Sequence, residues 1–206
     1  MTPFTVERND YLTQDIQGFY HTHFGGVDLI NNPNFLYKLK NDPHHNWTID
    51  NLKTAMTDFA KVLIIDLPKI QTHLGKLPIT ICVVPRAKAD NTYHTNQLLF
   101  KATIKQVVNK LGLIDGTEYI IRHTNTKTTH LKKPMVGYNN DGDLPYVGIT
   151  NETCNISNNV IGKDILLIDD IYTKTVNIDE DAIQALLDKG ASSVAFYAIG
   201  NTVSKF

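Results

Sequence analysis

Four consecutive aliphatic residues, Ile165-Leu166-Leu167-Ile168, run directly into Asp169-Asp170 and a hydroxyl-rich turn, Thr173-Lys174-Thr175-Val176-Asn177. A strand that is apolar at every position needs cover on both faces, which a parallel sheet with helices on each side supplies. The two acids then fall where such a strand surfaces at its carboxyl end, the edge at which open α/β sheets bind ligands. Beyond the turn, Ile178, Ala182, Ile183, Leu186 and Leu187 recur at helical spacing. Asn177 is the expected N-cap, Glu180 its capping-box partner, and Gly190 the expected stop.

The rest of the chain alternates in the same way. Thr48 opens an amphipathic helix carrying Ile49, Leu52, Met56, Phe59 and Leu63, expected to stop near Pro68. Ile79 to Val84 supplies a buried strand. Asn96 through Leu111 forms a second helix with Leu98, Ile104, Val107, Val108 and Leu111 inward, closed by Gly112. Tyr119-Ile120-Ile121 reads as a short strand and Val194 to Ile199 as the last one. This alternation predicts α/β architecture, a Rossmann-like parallel sheet flanked by helices. The polar stretch from Arg122 to about Asn159 has no periodicity and is expected to be a functional flap. Residues 1–47, rich in aromatics and turn formers, are expected to form a small irregular lobe outside the sheet, with 48–206 as the α/β domain.

Composition removes several classes of function. A net charge of −1, with Lys and Arg scattered, leaves no basic footprint for nucleic acid. Cys82 lies in an apolar run and Cys154 in a polar one, so neither a disulfide framework nor a Cys-based zinc site is indicated. No signal sequence is recognised, and no apolar run approaches the about 20 residues of a membrane span, so a cytoplasmic protein is expected. His21, His23, His44 and His45 lack acidic or Cys partners at ligand spacing and read as surface residues. Tyr11, Phe19, Tyr20 and Trp47 read as the core of the N-terminal lobe. There is no Gly-x-x-x-x-Gly-Lys-Ser/Thr loop to make the acidic strand part of a nucleotide triphosphatase. The acids also lie too near the C-terminus for a receiver domain.

Carboxylates beside a helix N-terminus suit a phosphorylated, hydroxylated ligand, since the acids take hydroxyls or a cation while backbone N–H groups take phosphate. Asp169 to Asn177 resembles the phosphoribosyl pyrophosphate signature of the type I phosphoribosyltransferases, in which a Thr-Thr-Gly-x-Thr loop follows two acids. Ile81 to Lys88 is similar to the family's pyrophosphate-loop strand, and Asn96-Gln97-Leu98-Leu99 to a helix start in its ComF-like branch. The likeness runs from about Ile79 to Asn201. It implies that Asp169 and Asp170 are catalytic, holding the ribose hydroxyls directly or through Mg²⁺. It further implies that Thr173, Lys174, Thr175, Val176 and Asn177 wrap the 5-phosphate, and that Arg86, Ala87 and Lys88 bind pyrophosphate. His123, His130, Lys132 and Lys133 become candidates in a hood that closes over the reacting centre.

The implied substrates are phosphoribosyl pyrophosphate and an acceptor that the sequence does not identify, and the oligomeric state and any protein partner stay open. Thr175 stands where the family has Gly, and Asn177 where it has Thr; the zinc-binding Cys cluster of the ComF-like branch has no counterpart. These departures keep a second expectation alongside the enzyme, a catalytically inactive subunit that senses phosphoribosyl pyrophosphate or a nucleotide through the same site.

Overall fold

The computed structural model describes residues 1–40, 47–76, 78–128 and 148–203. Its elements are β1 (Thr2–Val6), β2 (Ile16–Phe24), α1 (Phe35–Lys40), α2 (Ile49–Leu74), β3 (Thr80–Val83), α3 (Leu99–Leu111), β4 (Ile114–Asp115), β5 (Ile120–Arg122), β6 (Cys154–Ile156), β7 (Asp164–Tyr172), α4 (Ile178–Asp188) and β8 (Ser193–Thr202). Six strands form one sheet in the order β1-β2-β8-β7-β3-β4, parallel throughout except for β1.

The apolar run of β7 is covered on both faces, as its composition demands. Ile165 and Leu167 point to a core shared with Cys82, Phe196 and Ala198 and closed by Ala182, Ile183 and Leu186 of α4. Leu166 and Ile168 point the other way, into a core shared with Ile81, Val83 and Tyr197 and closed by residues of α1, α2 and α3 such as Leu39, Phe59 and Ile104. Strand periodicity of two sorts the side chains between these cores. From β3 the chain crosses through α3 to β4 on one side, and from β7 through α4 to β8 on the other. The crossovers diverge between β3 and β7, which makes the carboxyl edge between them the topological switch point.

Four expectations are corrected. Residues 1–24 are not a lobe outside the sheet: β1 and β2 pair antiparallel, and β2 joins β8 in parallel with Phe19 opposite Tyr197. The apolar face of that hairpin finds its partners nearly two hundred residues downstream, beyond the reach of local pattern. Second, α2 does not stop at Pro68 but continues to Leu74 and ends on Gly75 in the left-handed region. Burial of Leu67 and Ile70 holds the helix through the proline. Third, β7 does not end at the acids: it runs on to Tyr172 because β8 still pairs with it, whereas β3 has already ended opposite Ile168. Fourth, Tyr119-Ile120-Ile121 does not enter the main sheet; β5 pairs only with β6, in a two-stranded antiparallel sheet.

Thr48 caps α2 by accepting from the Asn51 N–H, and Gly112 closes α3 at φ 66°, both where expected. Cys82 and Cys154 are free thiols. No helix among the described residues is long and apolar enough to cross a membrane.

Candidate functional site

At the switch point β3 stops one residue before β7 presents Asp169, so the acids stay in β7 with a strand, β8, on one side only. Alternation along the strand then sends the neighbouring side chains to opposite faces. Asp170 faces the α1 side, where its Oδ2 lies 3.1 Å from Lys40 Nζ, both groups partly exposed. Asp169 faces α4 and shares a hydrogen bond with the Asp179 carboxyl. Sequence reasoning placed the two acids on one ligand; the structure puts them together at one edge but divides their contacts.

Burial, and then the charge of Asp170, push Asp169 up to about 7, while burial and the charge of Asp169 push Asp179 well above the usual carboxylate range. Two carboxyls this close, Asp179 buried and Asp169 partly so, share a proton rather than both ionise. Asp179 was missed by sequence reading, although its place in an Asp179-Glu180-Asp181 run was a visible signal.

That run fills the first turn of α4, and all three acids are buried. Glu180 does not cap the helix; its Oε1 accepts from Tyr172 Oη at 3.0 Å, its Oε2 has no partner among the described residues, and burial raises its pKa. Asp181 Oδ2 accepts the Gly148 N–H at 2.8 Å. Asn177 does not cap with its side chain either. It adopts φ 59°, and its Oδ1 accepts from Asn9 Nδ2 at 3.1 Å. Asn is one of the few residues that enters the left-handed region at low cost. The residue in that conformation is therefore Asn177 and not Thr175, so Thr175 meets no dihedral requirement for glycine.

The turn itself is braced. Val176 N–H donates to the Thr173 carbonyl at 2.9 Å, and the Thr173 hydroxyl lies 2.7 Å from that of Thr202. Lys174 pairs with Glu7 at 2.7 Å in an exposed setting. The segment between β1 and β2 thus holds the turn, through Glu7 and Asn9.

Across the switch point, Arg86 donates to the carbonyls of Lys40 and Gln97, both at 2.7 Å, and lies over the Tyr93 ring at 4.5 Å. Lys88 is buried, and its backbone N–H donates to Tyr93 Oη. The Ala87 carbonyl accepts from both the N–H and the hydroxyl of Thr126. Arg122, buried, donates to the carbonyls of Arg86 and Gly148. The base of the β5-β6 pair is therefore fastened to the segment after β3. His123 lies beside it, exposed, its Nδ1 3.0 Å from the Thr124 hydroxyl; His130, Lys132 and Lys133 lie outside the described residues. Among the described residues no group of three or more His, Cys, Asp or Glu is arranged to hold a metal ion.

A scan of the chain against protein-family models finds no match, and a search of curated proteins likewise finds none.

Proposed function

We propose that the chain binds phosphoribosyl pyrophosphate at this edge and transfers its phosphoribosyl group to a nucleophile, releasing pyrophosphate. The observation that carries the reading is the exit of Asp169-Asp170 at the β3-β7 switch point, between the Thr173–Asn177 turn and the Arg86–Lys88 segment tied to β5-β6. Carboxylate and phosphate oxygens suit Mg²⁺, which keeps waters and substrate phosphates in its shell, so the ion is assigned to the substrate. In the transfer the bond from ribose C1 to the pyrophosphate oxygen breaks, the electron pair leaves with pyrophosphate, and the nucleophile bonds to C1. The task of Asp170 is to hold a ribose hydroxyl and oppose the positive charge that develops on the ring. Lys40 Nζ, 3.1 Å from its Oδ2, orients that carboxylate.

The departures in the turn favour the second reading, a protein that binds the substrate without turning it over: Thr175 stands in place of the family's Gly, and Asn177 takes a left-handed joint that Asn9 holds. Calorimetry with phosphoribosyl pyrophosphate and Mg²⁺, followed by a pyrophosphate-release assay over a panel of bases, separates the two. Turnover supports the enzyme, tight binding without turnover supports the sensor, and no binding sinks both. Asp170→Asn is expected to weaken binding at least about tenfold. Its melting temperature should stay within about 2 °C, since a partly exposed ion pair contributes little to stability. A large loss of stability with binding unchanged would make Asp170 a structural residue.

A further inference from the structure

A second polar cleft lies on the α2 side of β2, at the end of α1 opposite Lys40. It has a volume of about 370 Å³ and is lined by His21, Thr22, Asn31, Asn32, Pro33 and Phe35. Behind it Asp66, 1% exposed, accepts from Tyr197 Oη at 2.7 Å and lies 2.8 Å from His21 Nδ1. Burial alone would raise the Asp66 carboxyl, yet the His21 and Tyr197 hydrogen bonds hold it below the usual carboxylate range. An ionised, buried carboxylate fixes the proton of the imidazole on Nδ1. His21 Nε2 is then the ring nitrogen left for a ligand, on a ring about one-third exposed that lines the cleft.

The other lining groups narrow the ligand. Asn32 is spent within the loop, its Oδ1 on the Gly25 N–H and its Nδ2 on Asn34. The Thr22 hydroxyl donates to the Asn31 carbonyl. The Asn31 side-chain amide makes no hydrogen bond among the described residues, and Asn31 sits at φ 62°, a left-handed conformation that Asn enters at low cost. Among the described residues no Lys or Arg lines the cleft, so an anion would find little compensation from them, while Pro33 and Phe35 supply apolar wall.

We infer that this cleft binds a small uncharged cyclic amide, its N–H on His21 Nε2, its carbonyl on the Asn31 amide and its ring against Pro33 and Phe35. The site is separate from the acidic edge: β8 lies between β2 and β7, which sets the two about 10 Å apart in strand spacing. It stands whether or not the phosphoribosyl reading does.

The test uses uracil as the cyclic-amide probe and inorganic phosphate as the anionic one, with the full chain and ¹⁵N-labelled histidine followed by NMR. Uracil should shift the His21 Nε2 signal saturably and leave exposed His23 unmoved. His21→Asn keeps a donor toward Asp66 but removes Nε2, and Asn31→Gly keeps the left-handed backbone but removes the amide. Each should weaken uracil binding at least about tenfold while the fold, read from the amide spectrum, persists. Absence of a saturable shift, or affinity unchanged in both variants, would overturn the inference. Phosphate displacing uracil from His21 would overturn it too, by making the cleft an anion site.

Discussion

Asp169 and Asp179 hold two carboxyls in a place that water does not reach freely, and the proton between them ties stability to pH. With Asp169 raised to about 7, the folded chain binds a proton that the unfolded chain has already released between the ordinary carboxyl range and that value. Stability is therefore fullest at or below the unfolded pKa and is lost as pH rises toward about 7 and beyond. Asp179→Asn replaces the shared proton by an amide donor and removes the repulsion. The variant should melt higher than the parent at about pH 8, and its melting temperature should vary less between about pH 4.5 and 7.5; each pKa unit relieved corresponds to about 1.4 kcal/mol. Thermal melts across that range check it, and a variant with the parent's slope would show that the pair carries no shared proton. The acids of β7 were legible because an apolar run ended in them, and their opposite orientations follow from strand period. Their partners were not, because Asp179 meets Asp169 only once the turn sets the phase of α4, and Lys40 reaches Asp170 from a helix outside any local pattern.

Helix α2 keeps a proline in its interior, and the cost of that choice can be measured. Pro68 has no N–H for the Ile64 carbonyl and its ring crowds that carbonyl, a penalty of about 3 kcal/mol in an ordinary helix. The helix persists because Leu63, Leu67 and Ile70 are buried on the sheet side. Pro68→Ala should restore the missing bond and stabilise the protein by about 1 to 2 kcal/mol, the remainder offset by the greater freedom of the unfolded chain. Urea unfolding should show a higher midpoint with an unchanged slope. No gain would mean that the Ile64 carbonyl is already satisfied. Proline was read as a stop because local propensity was the information at hand; burial overrode it. The turn before α4 shows the converse, since an Asn ahead of a helix fits either a side-chain cap or a left-handed joint, and only the reach of Asn9 to Asn177 decides for the joint.

The order of strands makes the N-terminal hairpin part of the same body as the site. Local alternation revealed β3, β5, β7 and β8 but not the short β4 and β6, whereas β1 and β2 are ordered by β8, far along the chain. Phe4 is the residue that joins them to the rest. Its ring lies 5.1 Å from that of Tyr172, 5.8 Å from Tyr20 and 6.5 Å from Phe196. It fits against Gly18, where a Cβ would come within 2.6 Å of the ring. Tyr172 in turn donates to Glu180 in the first turn of α4, and Glu7 and Asn9 hold the turn from the same segment. Phe4→Ala should therefore cost about 2 to 3 kcal/mol, less than a fully buried Phe because the ring is partly exposed. Hydrogen exchange should place the loss: amides of β2 and of residues 173–177 open together, while those of β3 and α3 keep their protection. Phe4→Leu should recover part of it by refilling the space over Gly18. Protection of residues 173–177 unchanged in Phe4→Ala would mean that the hairpin covers the sheet edge without supporting the acidic turn, and that Glu7 and Asn9 touch the turn without holding it.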